Sequence, residues 1–487
     1  MIIKFNKNLR PKIKKVLLIS PHGKITITSE GSRERKLAIP SLGLAYLASS
    51  LAGKGFEVEI LDVLIEGFDN EMAVDGNTIL YGLTDSEIKR RIIESKPDMV
   101  GVSCIISNRS REVAAICRLA KEAFPDIHVV AGGQHPTGMP EMILNENIDY
   151  ILRGEADNSI IKLVETINFD GNLAEVNGIV LKNGRDIYIN PVLDFPDFKS
   201  LGDPAWHLFK LEKYWDAGMC DYEVGSDGGD KKFMVVITSR GCPHNCYFCT
   251  SAFMSGRKFR AREIKDVIRE IKGYKEKYNL NRIYFWDDNF FINKARVKEF
   301  LNSLIDNFTG ITFEITSGSE VNSLDDEIIE LLAKAGFKKI FLAVESPNEE
   351  VQKEHIDKKV NISKVPQLVK KIHECAMLAE GSFMVGFPGE TKAHIDKTLD
   401  LVKTFGFDRI SISIVNPLPG TDLYRHCLEN NLLFEDFDPQ NIRWSQENIK
   451  MPDVERGYIA RRRREVWLEY MKDKINVSDY EQEKQKK

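Results

Sequence analysis

Three cysteines, Cys242, Cys246 and Cys249, stand in a C-x3-C-x2-C run. The residues before them, Phe233-Met-Val-Val-Ile-Thr238, are apolar and β-branched and read as a buried strand. A structural zinc site wants four closed ligands, and three thiolates on one short loop fall short of that. They can hold three irons of a 4Fe-4S (four-iron, four-sulfur) cluster and leave the fourth iron open. An open iron at the end of a strand points to chemistry rather than scaffolding.

The elements that must position this loop follow it in the chain. Six strand candidates run over Phe233–Ile237, Arg282–Trp286, Thr312–Ile315, Lys339–Val344, Ser382–Val385 and Arg409–Ile414. Helical patterns over Ala261–Tyr278, Arg296–Asn307, Leu324–Ala335, Ile362–Ala379 and Lys392–Phe405 lie between them. That alternation suits an incomplete β/α barrel, whose functional groups project from the carboxyl ends of its strands. Beyond the cysteine loop those ends read Asp287-Asp288-Asn289-Phe290, Ser317-Gly-Ser-Glu320, Glu345-Ser346-Pro347, Gly386-Phe-Pro-Gly-Glu390 and Asn416-Pro-Leu-Pro-Gly-Thr421. Any one carboxylate here could be a helix cap. Their convergence on one rim favours a site.

The front of the chain alternates too. Strands are expected at Val16–Ser20, Glu57–Leu61, Met99–Ser103, His128–Ala131 and Tyr150–Leu152, with helices after Pro40 and over Asp85–Ser95, Arg109–Ala123 and Pro140–Asn145. This pattern indicates a doubly wound parallel sheet, with ligands at the carboxyl ends of its strands. No Gly-x-Gly-x-x-Gly follows the first strand, so a nicotinamide or flavin reading is weak. Ile160–Ile167 reads as a helix, and Gly178–Leu181 with Asp186–Ile189 as a hairpin around Asn183-Gly184. Prolines and the polar segment Gly225–Asp230 suggest a linker after it, in which Cys220 is a lone cysteine. Near the end, Arg456–Lys474 reads as a helix and Glu481–Lys487 as a frayed tail.

Composition bounds the rest. The 487 residues, 43% apolar and 29% charged, allow two or three globular domains. A net charge of −5 gives no reason to expect nucleic acid as a partner, and the basic runs Lys4–Lys15 and Arg461–Arg464 are short. Of the eight cysteines, Cys104, Cys117, Cys220, Cys375 and Cys427 are scattered, which fits a reducing compartment rather than a disulfide framework. The apolar run Val16–Ile19 is too short for a signal peptide, and no stretch nears the ~20 residues of a membrane helix. A cytoplasmic protein without membrane contact is expected.

Two resemblances now attach to these residues. Pro40-x-Leu-Gly-Leu44, Pro97-Asp-x-Val-Gly101, Gly132-Gly-x-His135, Pro140-Glu141 and Gly154-Glu155, in that order, resemble the cobalamin-binding domain found before many radical S-adenosylmethionine enzymes. Cys242, Cys246, Phe248 and Cys249 match the C-x3-C-x-aromatic-C signature of those enzymes. Asp287-Asp288-x-Phe290, Val344-Glu-Ser346, Gly386-Phe-Pro-Gly-Glu-Thr391 and Pro417-Leu-Pro-Gly-Thr421 resemble the branch that carries the cobalamin domain, the class B methyltransferase-like family.

The resemblance implies a 4Fe-4S cluster on Cys242, Cys246 and Cys249, with S-adenosylmethionine at the open iron. It places Phe248 and Gly386 by the adenine, Asp287 or Asp288 by the amino group, and Glu345 and Ser346 by the ribose. It implies cobalamin near Ser103, Gly132, Gly133, His135, Gly154 and Glu155. Cobalamin proteins with a histidine lower ligand carry Asp-x-His-x-x-Gly after the first strand. Asp126-Ile-His128 comes close but ends in Ala131 and runs into the fourth strand, so no histidine lower ligand is expected. His22 and His135 are outside candidates.

The expected reaction is methylation of an unactivated carbon or phosphorus centre of a small molecule, with electrons from a donor such as flavodoxin or ferredoxin. Two alternatives stand beside it. One is a rearrangement, cyclisation or oxidation without methyl transfer, and the other a front domain that no longer binds cobalamin. A methylthiotransferase is disfavoured because the remaining cysteines form no second cluster-binding set. The expected domains are residues 1–160 (an arm and the cobalamin-binding fold), 161–231 (a connector), 232–430 (the partial barrel) and 431–487 (a helical extension).

Overall fold

The computed structural model describes residues 12–27, 33–184, 186–217, 232–356, 358–472 and 474. Most of the N-terminal arm, Cys220, the Gly225–Asp230 segment and the Glu481–Lys487 tail lie outside them. Apart from 439–441, the described residues up to 217 form one compact unit and those from 232 a second.

In the first unit a seven-stranded sheet holds five parallel strands in the spatial order Glu57–Asp62, Lys15–Ser20, Met99–Ser103, His128–Gly132 and Tyr150–Leu152. In chain order this is 2-1-3-4-5, with a reversal between the strands at Lys15 and Met99. Crevices for ligands form at such a reversal. The apolar runs Val16–Ile19 and Val129–Ala131 are buried on both faces, as parallel sheets require. The helix Asp85–Ser95 shows why the boundaries were readable. Thr84 and Glu87 form a reciprocal capping box, and the helix ends at Lys96 in a left-handed conformation.

Two features differ from the sequence expectation. The hairpin Ile179–Asn183 and Asp186–Ile189 is not part of a separate bridge; it pairs antiparallel with Tyr150–Leu152 and extends the sheet. A second, three-stranded antiparallel sheet, formed by Gly23–Thr26, Thr78–Tyr81 and Glu71–Asp75, was not anticipated.

The second unit holds the six expected strands, all parallel: Phe233–Val236, Arg282–Phe285, Thr312–Ile315, Lys339–Glu345, Leu378–Val385 and Arg409–Ile414. Ser319–Glu320 carries the third strand on to pair with the fourth. The helix expected to reach Ala379 stops at Glu374, because Ala376 turns left-handed and the fifth strand starts at Leu378. The sheet ends on an open edge at the sixth strand. The helix Tyr458–Met471 covers it. Arg463 Nε, Trp467 Nε1 and Tyr470 Oη donate to the carbonyls of Ile412, Ile410 and Phe407. Side chains thus supply donors that a seventh strand would have brought.

Candidate active site

The first barrel strand ends at Val236, and Thr238 and Ser239 turn the chain into the cysteine loop. Asp287, after the second strand, fixes that turn. It accepts from Thr238 N (3.1 Å), Thr238 Oγ1 (2.8 Å) and Ser239 Oγ. Burial raises its pKa, against the pull of those donors. Asp287 is buried, and its hydrogen bonds in this structure position the loop. Asp288, half-buried, ties the loop at both ends, accepting from Gly241 N (2.8 Å) and Ser251 Oγ (3.0 Å).

Cys242, Cys246 and Cys249 are all partly buried. Cys242 N donates to Gly256 O (3.2 Å), Cys249 N donates to Cys246 O (2.9 Å), and Asn289 Nδ2 lies 4.0 Å from Cys242 Sγ. Burial raises the Cys242 thiol and pushes Cys246 up to about 12, so a metal would have to displace these protons. Among the described residues, no three or more His, Cys, Asp or Glu side chains converge on one ion. A 4Fe-4S cluster asks for one thiolate on each of three irons, not for such convergence. The donor set, three thiols and no carboxylate on one loop, fits the cluster.

Around the loop stand charged groups held by protein contacts. Glu320 accepts from His244 Nε2 (3.1 Å), Ser323 Oγ (3.0 Å) and Asn289 Nδ2 (3.4 Å). Burial works to raise its pKa, but those donors win and it is lowered. Glu345 ends the fourth strand with φ +62, in the left-handed region that a side chain pays for in strain. It pairs with Lys358 Nζ at 2.8 Å, both side chains nearly buried. Burial lowers the Lys358 pKa, but attraction to Glu345, Cys246 and Glu320 raises it overall. Lys358 was not read from the sequence; a lone lysine in the polar stretch after the fourth strand carries no signal there.

The remaining rim residues turn inward. The Ser346 hydroxyl is buried, lies 3.3 Å from Thr398 Oγ1 and accepts from Asn348 N (3.2 Å). Gly386 has φ +93, and a Cβ there would meet Ile459 of the C-terminal helix at 3.2 Å. Its N–H and that of Phe387 donate to Glu390 Oε2 (2.6 and 2.7 Å). Phe248 packs edge-on to Phe387 at 5.9 Å, and Tyr247 stacks on Phe387 at 6.4 Å. Leu423 and Cys427 of the helix Asp422–Glu429 join the same apolar cluster. The cysteine loop is thus backed by the chain that follows the barrel.

The first unit has its own rim. Ser103 and Gly132 end their strands half-exposed. Gly133 has φ +108, and a Cβ there would lie 2.6 Å from Cys104 O. Its lack of a side chain serves the protein's own close packing. Thr137, buried and unread in the sequence, joins the rim. Its Oγ1 donates to Gly133 O (2.7 Å) and accepts from Gly154 N (2.9 Å), and its carbonyl accepts from Arg153 Nε (3.0 Å). Glu155 is half-buried beside it.

His135 Nδ1 lies 3.0 Å from Ser107 Oγ, and its Nε2 is buried without a hydrogen-bond partner. Burial lowers its pKa to about 4 and keeps it neutral. His22 Nε2 donates to Leu83 O (2.7 Å). His128 is buried at the start of the fourth strand. The loop after the third strand exposes Ile105 and Ile106, at 48% and 41%. Exposed apolar residues beside small and polar loop ends fit a broad macrocycle with amide edges.

The Radical SAM superfamily model matches residues 236–402, and the B12 binding domain model matches residues 32–164. The chain carries a radical SAM domain with a B12-binding domain in front of it. As a radical SAM enzyme it uses a 4Fe-4S cluster and S-adenosylmethionine, and the front domain adds cobalamin. It is similar to a cytidylyl-2-hydroxyethylphosphonate methyltransferase of Streptomyces wedmorensis, 29% identical over 85% of this chain and 82% of that one. An anaerobic magnesium-protoporphyrin IX monomethyl ester cyclase of Rubrivivax gelatinosus is 26% identical over 87% of this chain and 72% of that one. The fold is shared with the radical S-adenosylmethionine methyltransferase TsrM of Kitasatospora setae, solved with cobalamin and a 4Fe-4S cluster (TM-score 0.67, 17% identity, 86% of this chain and 75% of that one). No helix among the described residues is long and apolar enough to cross a membrane.

Proposed function

We propose that this radical SAM enzyme methylates an unactivated carbon or phosphorus centre of a small molecule. The observation that carries the reading is the joint presence, in one chain, of the three-thiol loop on a partial barrel and a B12-binding domain. The similarity to a phosphonate methyltransferase over most of both chains supports it.

With both cofactors bound, the cluster would supply one-electron reducing power toward S-adenosylmethionine and cobalamin a methyl carrier. The chain's own residues do the placing. Cys242, Cys246 and Cys249 would hold three irons, and Asp287 fixes the loop that bears them. Lys358 is a buried cation suited to a ligand carboxylate, and Asp288, still half-exposed, to its ammonium group. Phe248, on the Phe387 platform, offers a face for adenine. Ser103, Gly132, Gly133, His135, Gly154 and Glu155 belong to the cobalamin rim, with no histidine on cobalt, since His22 and His135 are both buried within the fold.

The test uses the anaerobically reconstituted enzyme with cobalamin, a strong reductant, trideuteromethyl S-adenosylmethionine and cytidylyl-2-hydroxyethylphosphonate. S-adenosylhomocysteine plus 5′-deoxyadenosine, with label in a product, is expected. If S-adenosylhomocysteine never forms while deoxyadenosine does, the reading falls. That outcome would favour cyclisation or oxidation, the second reading suggested by the cyclase relative.

A further inference from the structure

From Ser239 through Arg262 the sequence contains no Asp or Glu, although the whole chain carries net charge −5. The same stretch holds Arg240, Arg257, Lys258, Arg260 and Arg262, together with all three cluster cysteines. The fold gives this charge a direction. Ser239–Arg240 pairs antiparallel with Arg260–Ala261, so the cysteine loop and the basic segment are the two arms of one ribbon. Cys242 N donates to Gly256 O (3.2 Å). At Gly241, φ is +85 and a Cβ would lie 2.3 Å from Lys258 O, so the arms touch backbone to backbone.

The cations divide by role. Arg240 is buried, and Arg262, nearly buried, pairs with Glu270. Arg260 donates to Ser255 O (2.7 Å). Arg257 and Lys258 are exposed, and Arg257 Nη2 reaches Asn245 Oδ1 in the cysteine loop itself. Of the nearby carboxylates, Glu270 is paired with Arg262, and Asp288, half-buried, accepts from Gly241 N and Ser251 Oγ. Glu263, exposed, follows at the end of the ribbon.

We propose that the Gly256–Arg260 arm, through Arg257 and Lys258, is the docking surface for an acidic one-electron carrier protein that reduces the cluster. The inference rests on Cys242, Cys246 and Cys249 being the cluster ligands. In each encounter the carrier is oxidised by one electron and the cluster is reduced by one. Electron-transfer encounters are small, transient and steered by charge rather than held by apolar area. A pair of exposed cations on the arm packed against the cluster loop suits that use. It places the carrier on the arm that is paired with the cysteine loop.

The test measures binding and reduction separately from methyl transfer. Reduced flavodoxin is titrated onto the reconstituted enzyme, and cluster bleaching is followed at low and high salt. Arg257→Glu/Lys258→Glu is expected to weaken binding about tenfold at low salt and to lose most of the salt dependence. Reduction by dithionite and the iron content should stay at wild-type values. Because Arg257 touches the cysteine loop, Lys258→Glu alone is the second variant, expected to weaken binding about threefold with iron unchanged. Wild-type affinity and salt dependence in both variants would overturn the proposal. So would equal losses with dithionite and flavodoxin in Lys258→Glu. Loss of iron from Cys246→Ala checks the ligand reading on its own.

Discussion

Glu390 is the buried acid least suited to its surroundings. Burial raises its pKa to about 7, although Gly386 and Phe387 N–H groups stabilise the charged form, and its Oε1 is buried without a partner. A carboxyl whose folded pKa is raised binds its proton more tightly when folded. Its contribution to stability is full below the ordinary value near 4.5 and is lost as pH rises to about 7. The loss amounts to at most about 3 kcal/mol. Asp62, raised to about 6 by burial, acts in the same sense. Denaturant midpoints of the wild type should therefore fall between pH 5 and pH 8, and Glu390→Gln should flatten that slope. The amide nitrogen takes the place of Oε1 and leaves both of its N–H donors unpaired, so the test is the slope and not the absolute midpoint. An unchanged slope in the variant would remove Glu390 as its source.

At the scale of elements, the helix Tyr458–Met471 closes the open barrel edge with side chains. The carbonyls of Ile410 and Ile412 point the same way because strand geometry repeats every two residues. Arg463 and Trp467 reach them because helix positions four apart share a face. Trp467→Phe keeps the ring and removes one hydrogen bond, at a cost of about 1 kcal/mol. Arg463→Ala/Trp467→Ala uncovers the edge, and light scattering should show concentration-dependent association, the usual fate of an unprotected strand. A variant that remains monomeric at high concentration would refute the edge-cover role.

The sequence made the strands legible and left this helix's purpose hidden. All six barrel strands and the five parallel front strands were readable because buried parallel strands are short apolar runs ending in turn residues. A stripe of Trp467, Tyr470 and Met471 looks like ordinary packing until the carbonyls beneath it are seen. The small antiparallel sheet also has a local signal: Gly76-Asn77, between Glu71–Asp75 and Thr78–Tyr81, is a two-residue hairpin turn. At the site, the cysteines were plain from spacing alone. The inward turn of Asp287 and Ser346, and the pairing of Glu345 with Lys358, depend on partners distant in sequence, which no local pattern encodes.

Across the whole molecule, each unit carries its own core. In the first, Leu17, Ile19, Val100, Val102, Val129 and Ile151 pack with helix residues such as Ile116 and Ala120. In the second, Phe387, Val415, Leu423 and Cys427 back the cysteine loop. Units with separate cores respond to local changes separately when no partners are shared. The two cofactor sites should then load independently. Thr137 is the residue to vary on the front unit, because its hydroxyl bonds both the loop at Gly133 and the loop at Gly154. Thr137→Val keeps the shape and removes both hydrogen bonds, so corrinoid bound per chain should fall several-fold while iron stays at the wild-type value. Thr137→Ser, which retains the hydroxyl, should recover most of the corrinoid. Cys246→Ala should give the mirror result, with iron lost and corrinoid retained. Parallel loss of both cofactors in either variant, with circular dichroism unchanged, would mean that the sites are coupled and that separate cores do not make separate sites.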